Sequence, residues 1–271
     1  MTFSGQTAWI TGASSGIGAA FARALAAQGA RLVLSGRDEA ALQAVAADCG
    51  EALVLPFEAT DRAAMTAAAD TAWAWRDGID LLINNAGISQ RALAVDCALE
   101  VYDRIVAVDL LAPIALTQAL LPRMVARGSG RIAMISSIAG KVGVPLRSAY
   151  CAAKFGLIGY ADAVRAENAH LGIKVHVIAP GSIATNVSRN ALTADGSRRG
   201  VSDTAIDNGI LPEDAVAEMI AAMLAGEREI IVARGAEKAM GEMARTPDAL
   251  FDQIGAMMSA GYAERMAGVK P

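Results

Sequence analysis

Short apolar runs alternate along the chain with longer stretches in which alanine and leucine recur at helical spacing. Residues 7–10, 31–35, 52–56, 81–84, 131–136, 173–178 and 229–232 are apolar runs without polar alternation, the pattern of strands covered on both faces. Between them, 16–28, 39–48, 62–76, 99–127, 148–171 and 212–225 read as helices. This rhythm predicts an α/β fold: a doubly wound parallel sheet of about seven strands, joined by right-handed crossovers, with helices on both faces. No linker divides the chain, so residues 1–271 read as a single domain. Two segments break the rhythm. Residues 186–211 mix Gly, Ser, Asp and Arg without a period, which predicts a mobile loop. A methionine-rich, helix-prone tail follows from about residue 234.

Composition narrows the class. Hydrophobic residues make up 54% and charged residues 19%, enough to bury a large core and too apolar for disorder. A formal net charge of −4 gives no reason to expect nucleic acid or an anionic membrane as a partner. Cys49, Cys97 and Cys151 are far apart and odd in number, with no disulfide framework. No His/Cys/Asp cluster has metal-ligand spacing, so no metal is expected. The apolar runs are expected to fall short of a spanning helix. Residues 1–6 lack a basic stretch followed by an apolar core, so no signal peptide is expected. Together these features predict a cytoplasmic protein.

The first strand runs into Thr11-Gly12-Ala13-Ser14-Ser15-Gly16-Ile17-Gly18, which opens a helix. Glycines there let the backbone turn sharply and approach a pyrophosphate, and the helix N-terminus presents free N–H groups to it. A tight βα turn without a ligand is the plainer alternative. After the second strand comes Ser35-Gly36-Arg37-Asp38, where a carboxylate on the ribose hydroxyls would favour NAD. Arg37 can hold a 2′-phosphate instead, which favours NADP(H). NAD(H) stays possible, because Asp38 could neutralise the arginine.

Tyr150 and Lys154 lie four residues apart at the start of a predicted helix, so both fall on one face. Tyrosine ordinarily has a pKa of about 10, and a nearby ammonium favours its phenolate. Ser137 ends the fifth predicted strand. Ligands gather outside the carboxyl ends of such strands, so Ser137, the glycine turn and Asn84-Asn85-Ala86-Gly87 should converge. A Tyr-x₃-Lys pair alone reads as ordinary helix surface; with that convergence it reads as a proton-transfer site.

The motifs at 11–18, 84–87, 136–137, 150–154 and 180–185 together resemble the short-chain dehydrogenase/reductase family in order and spacing, over roughly residues 4–232. The resemblance implies a Rossmann-like fold and an oxidoreductase moving a hydride between NADP(H) or NAD(H) and a carbonyl/secondary alcohol pair. It implies Tyr150 as acid/base, Ser137 as the group polarising the substrate oxygen, and Lys154 as the residue holding the nicotinamide ribose. Implied cofactor contacts are Gly12, Ser14, Ser15, Gly16, Ile17, Gly18, Arg37, Asn85, Ala86, Gly87, Tyr150 and Lys154. Ile183 and Thr185 join them at the carboxamide. Glu58 and Ala59 stand where the family carries Asp and a hydrophobic residue beside the adenine.

One departure concerns proton delivery. The family usually places an asparagine in the helix after strand four, where it holds a water behind the lysine; here the residue is Asp109. Asp109 is expected to substitute by anchoring Lys154, with Pro113 bending the helix and freeing a carbonyl. The plainer alternative makes Asp109 a helix residue without a part in catalysis. Residues 88–91, 144–146 and 185–187 resemble the branch acting on lipophilic carbonyls, which would make 186–211 the substrate loop. Ile88, Val144, Leu146 and Val187 are then expected as an apolar pocket wall. That branch often carries an N-terminal membrane anchor, which is not expected here. The resemblance also implies a homotetramer or homodimer. A second reading, a catalytically impaired dinucleotide-binding regulator, rests on Asp109 alone. His176 is expected to be a buried histidine. Arg198-Arg199 is expected to be a solvated pair that could steer an anionic substrate.

Overall fold

The structure, a computed structural model, describes residues 2–243, 260–262 and 265. Among them, seven parallel strands form one sheet: β1 (Thr7–Thr11), β2 (Arg31–Ser35), β3 (Ala52–Val54), β4 (Leu81–Asn84), β5 (Gly130–Ile135), β6 (Ile173–Pro180) and β7 (Glu229–Val232). Their order across the sheet is β3-β2-β1-β4-β5-β6-β7. The chain winds outward from β1 to β3, then returns to start β4 on the other side of β1. That reversal opens a crevice at the carboxyl ends of β1 and β4.

Side chains alternate between two apolar layers, as successive strand residues must. Ala8 and Ile10 of β1 and Leu32 and Leu34 of β2 face α1 (Gly16–Ala27), α2 (Glu39–Ala47) and α8 (Pro212–Ala225) through Phe21, Leu25, Leu42 and Met219. Trp9 and Val33 face the other way. They pack in a core with Met65 of α3 (Arg62–Trp75), Leu116 and Leu120 of α5 (Ala112–Arg127), and Leu157 of α6 (Ser148–Asn168). The indole of Trp9 is fully buried, and its N–H donates to Ser35 Oγ at 2.9 Å.

The stretch 99–127 is not one regular helix. It is α4 (Leu99–Val106), a π-helical turn (Ala107–Leu111), then α5. Pro113 has no N–H to give to the carbonyl four residues back. The Ala112 N–H reaches the Ala107 carbonyl, one residue wider than an α-helical bond. Asp109 sits inside that turn, fully buried. Contrary to the expectation from its apolar runs, this stretch is long and apolar enough by composition to cross a membrane. Leu116, Leu120 and Met124 nevertheless lie in the core.

The segment 186–211, expected to be mobile, is tied down at several points. Leu192 N–H donates to the Ser89 carbonyl and its own carbonyl accepts from Arg91 N–H, both at 2.8 Å. A short helix, α7 (Thr204–Asp207), lies within it. The tail begins with α9 (Gly235–Glu242); most of it lies outside the described residues. Ser35→Ala should leave the Trp9 N–H unpaired and cost about 1–3 kcal/mol. Urea denaturation, with Trp fluorescence as the signal, measures this.

Candidate active site

The carboxyl edge of β1 becomes the glycine turn. Gly12 has φ +64°, and a Cβ there would lie 2.9 Å from Ala86 Cα. At Gly18 a Cβ would collide with the Gly12 carbonyl oxygen. The turn is braced from β4: Asn85 Nδ2 donates to the Thr11 and Gly12 carbonyls at 2.9 and 3.2 Å. Thr11 Oγ1 accepts from the N–H groups of Asn85 and Ala86, each at 3.0 Å. The start of α1 has no side-chain cap and no acidic residue in its first turn. Such a helix start offers unsatisfied N–H groups and a partial positive charge, which suits a pyrophosphate.

At the end of β2, Arg37 lies 3.6 Å from Glu58 Oε2, with both side chains largely exposed. Asp38 does not neutralise Arg37. Its carboxylate accepts from Ala41 N–H at 3.0 Å and caps α2. The carboxylate beside the arginine is therefore Glu58, from the loop after β3.

At the centre of the sheet edge, Lys154 is 4% exposed. Its Nζ donates to the Ile135 carbonyl at 3.0 Å and lies 3.1 Å from Asp109 Oδ2. The latter is a contact of charge rather than an aligned hydrogen bond. Asp109 Oδ1 accepts from Ile88 N–H at 2.8 Å. Burial alone would pull the Lys154 pKa down; Asp109, then Tyr150, more than offset this and leave it raised. Burial pushes the Asp109 carboxyl upward, against the pull of Lys154. The ammonium also lies 5.5 Å from the centre of the Tyr150 ring. Ser136 Oγ holds the Lys154 carbonyl at 3.0 Å. Ser137 Oγ accepts from Ala139 N–H at 3.1 Å and has only a long contact, 3.5 Å, to the Pro180 carbonyl.

These groups share one cleft of about 750 Å³. Its walls include Ser137, Tyr150, Lys154 and Asp109, together with Gly12, Ser14, Ser15, Gly16, Ile17, Arg37, Glu58, Ala59, Asn85, Ala86, Gly87, Ile183 and Thr185. Gly18 is not among them; it is needed for close packing against Gly12 rather than for lining. The expected apolar wall is half correct. Ile88 and Val187 line the cleft, whereas Val144 and Leu146 do not. Arg104 and Arg198 line it as well. Among the described residues no cluster suited to a metal ion is present. His176 is buried, with Nδ1 against the Glu227 carbonyl at 2.5 Å, and burial lowers its pKa to about 4.

Two contacts were not foreseen from the sequence. Glu237 of α9 accepts from Ser182 N–H at 2.6 Å and Ser182 Oγ at 2.7 Å, fixing the turn that precedes Ile183. Gln90 accepts the N–H of Tyr150 at 3.1 Å.

The sequence model of the short chain dehydrogenase family matches residues 6–196. The chain is 39% identical over 234 residues to dehydrogenase/reductase SDR family member 7B of Danio rerio, covering 83% of this chain and 76% of that protein. Among solved structures, a metagenomic short-chain oxidoreductase in complex with NADP is 34% identical, with a TM-score of 0.70 over 86% of this chain and 98% of the other. A short-chain dehydrogenase from Streptomyces avermitilis is 27% identical, with a TM-score of 0.77 over 97% and 98%. The chain belongs to the short-chain dehydrogenase/reductase family. It is an NAD(P)-dependent oxidoreductase.

The buried pair sets a testable pH response. Because the folded pKa of Lys154 is raised, its contribution to stability is fully present below the unfolded lysine value. That contribution is lost only as pH rises through the higher folded value. In Asp109→Asn, burial dominates and the folded pKa should drop below the unfolded one, so the Lys154 contribution should grow as pH rises between the two. Asp109→Asn should therefore be destabilised by about 3–5 kcal/mol at pH 7, with the deficit shrinking toward pH 10. Urea denaturation across this range reads both.

Proposed function

We propose that the enzyme transfers a hydride between NADP(H) and a carbonyl/secondary alcohol pair that is apolar around the reacting carbon, with Tyr150 as the proton-transfer residue. The observation that carries this is the placement of Lys154, held against Asp109 and beneath the Tyr150 ring, in the same cleft as Ser137 and the glycine turn. When bound, the nicotinamide supplies or accepts the hydride.

In the reducing direction Tyr150 gives its hydroxyl proton to the carbonyl oxygen. Ser137 has only a weak acceptor of its own at 3.5 Å, so its hydroxyl is free to donate to that oxygen. The Lys154 ammonium stabilises the tyrosinate left behind. Asp109 acts through Lys154 by keeping it charged. The regulator alternative rested on Asp109; its ion pair with Lys154 supports reading that residue as a partner of the site.

Two features favour NADP(H). Arg37 is largely exposed at the end of β2 with only a loose contact to Glu58, available to a 2′-phosphate. A similar solved structure carries NADP. Ile88, Val108, Val187 and Leu192 make the cleft apolar, while Arg104 and Arg198 add positive charge to its walls. Neutral and carboxylate-bearing lipophilic ketones should therefore both be screened, with charged sugars as the contrasting class.

Arg37→Ala should weaken NADPH binding about tenfold, roughly 1.4 kcal/mol, and leave NADH binding unchanged. Fluorescence titration of both cofactors measures this. Tyr150→Phe should cut turnover of the best ketone about 10²–10⁴-fold at unchanged NADPH affinity. Full turnover by Tyr150→Phe, or a preference for sugars over lipophilic ketones, would contradict the proposal.

A further inference from the structure

Tyr150 sits in the first turn of α6, where helix N–H groups lack intrahelical partners. The residue before the helix, Arg147, provides no side-chain cap. The acceptor for the Tyr150 N–H comes from Gln90, whose Oε1 lies 3.1 Å away. Gln90 is fully buried. Its Nε2 approaches Ser148 Oγ at 3.4 Å, and that hydroxyl meets Tyr102 OH at 2.7 Å. A side chain 60 residues away in sequence thus fixes the turn that aims the tyrosine.

The next residue, Arg91, points into a buried ionic cluster. Its Nε and Nη2 hold Asp203 Oδ2 at 2.8 and 2.7 Å, with both side chains about 5% exposed or less. Its Nη1 donates to the carbonyl of Gln90 at 2.7 Å and to Ser89 Oγ at 2.9 Å. Arg147 and Arg199 approach the same carboxylate at 3.4 and 2.5 Å. The Asp203 N–H donates to Ser188 Oγ at 3.0 Å. Asp203 and Ser188 both belong to the segment 186–211, whose Val187, Asn190 and Leu192 line the cleft.

We propose that Asp203 latches the segment 186–211 onto Arg91, and that Gln90 is a positioning residue that couples this closure to Tyr150. Opening the segment would part Asp203 from Arg91 and Arg147 and leave those two arginines without their carboxylate, although Arg199, in the same segment, would stay with Asp203. Opening would thus cost the buried Arg91 pair, which is strongly unfavourable. It would also release Arg91, whose guanidinium braces the Gln90 carbonyl. The hydrogen bond at the Tyr150 N–H would then loosen. A misplacement of about 1 Å in a reacting group costs on the order of 10²-fold in rate. The latch therefore makes full proton-transfer competence depend on a closed substrate segment. The inference rests on Tyr150 being the proton-transfer residue.

The test follows amide exchange and turnover in the full chain with NADPH bound, using the best ketone from the screen. Asp203→Asn should speed exchange about tenfold both across 186–211 and at the Tyr150 N–H. Gln90→Met should speed it only at Tyr150 and lower kcat about tenfold at unchanged NADPH affinity. Gln90→Glu, which keeps an accepting oxygen, should restore both. If Asp203→Asn does not fold, Ser89→Ala removes the hydroxyl that Arg91 Nη1 holds at 2.9 Å, which loosens Arg91 without changing the charge of the latch, and should raise exchange in the same two regions.

Wild-type exchange at Tyr150 while 186–211 has opened would overturn the coupling. A kcat within about twofold of wild type in Gln90→Met would overturn the positioning role. Tyr150→Phe separates this inference from the reading beneath it. Lost turnover with wild-type exchange upholds Tyr150 as the proton-transfer residue, whereas retained turnover overturns both.

Discussion

A lysine ammonium that is 4% exposed must be paired or give up its charge. Much of the site is arranged around that constraint. Asp109 supplies the countercharge, and its own burial is made tolerable by the Ile88 N–H. The Ile135 carbonyl accepts the ammonium from below. At Gly87 a Cβ would sit 3.0 Å from Asp109 Oδ2 and 3.4 Å from Lys154 Nζ, so a side chain there would crowd the pair. The π-turn that buries Asp109 ends at Leu111, two residues before Pro113 in the first turn of α5. The price of that local irregularity is offset by a charged lysine held beneath Tyr150.

The parallel sheet brings these parts together. With strands running the same way, the ends of β1, β4, β5 and β6 deliver the glycine turn, Asn85–Gly87, Ser137 and the Pro180–Ile183 turn to one edge. The chain then closes over that edge from two directions. The segment 186–211 is pinned through Asp203, and α9 is pinned through Glu237 to Ser182. The site is thus preorganised from several elements far apart in the chain.

What the sequence disclosed was what local rules write. Apolar runs bounded by turns located the strands. The glycine spacing located the tight turn at the end of β1, and the four-residue step from Tyr150 to Lys154 placed both on one helix face. What it hid depended on distant partners or on a shift of helical register. Asp203 meets Arg91 across 112 residues, so 186–211 looked unstructured because its order comes from ionic contacts rather than periodicity. Asp38 was the alternative that could have neutralised Arg37, but it caps α2, and the carboxylate beside the arginine is Glu58. Gly18 matched the motif yet packs against Gly12 instead of lining the cleft. Val144 and Leu146 matched by resemblance but lie outside the cleft walls. The irregularity at Asp109 was anticipated only in part: Pro113 signalled a bend, but not that the bend would be a π-turn.

The account stands most directly on the charge of Lys154. ¹⁵N NMR of the lysine side-chain nitrogens, with Lys154 assigned by substitution to methionine, follows that charge through a pH titration. The account predicts that Lys154 remains an ammonium at pH 7 and beyond the ordinary lysine value of 10.5, and that it titrates lower in Asp109→Asn. A neutral Lys154 at pH 7 in the wild-type protein, or an unchanged titration in Asp109→Asn, would contradict it.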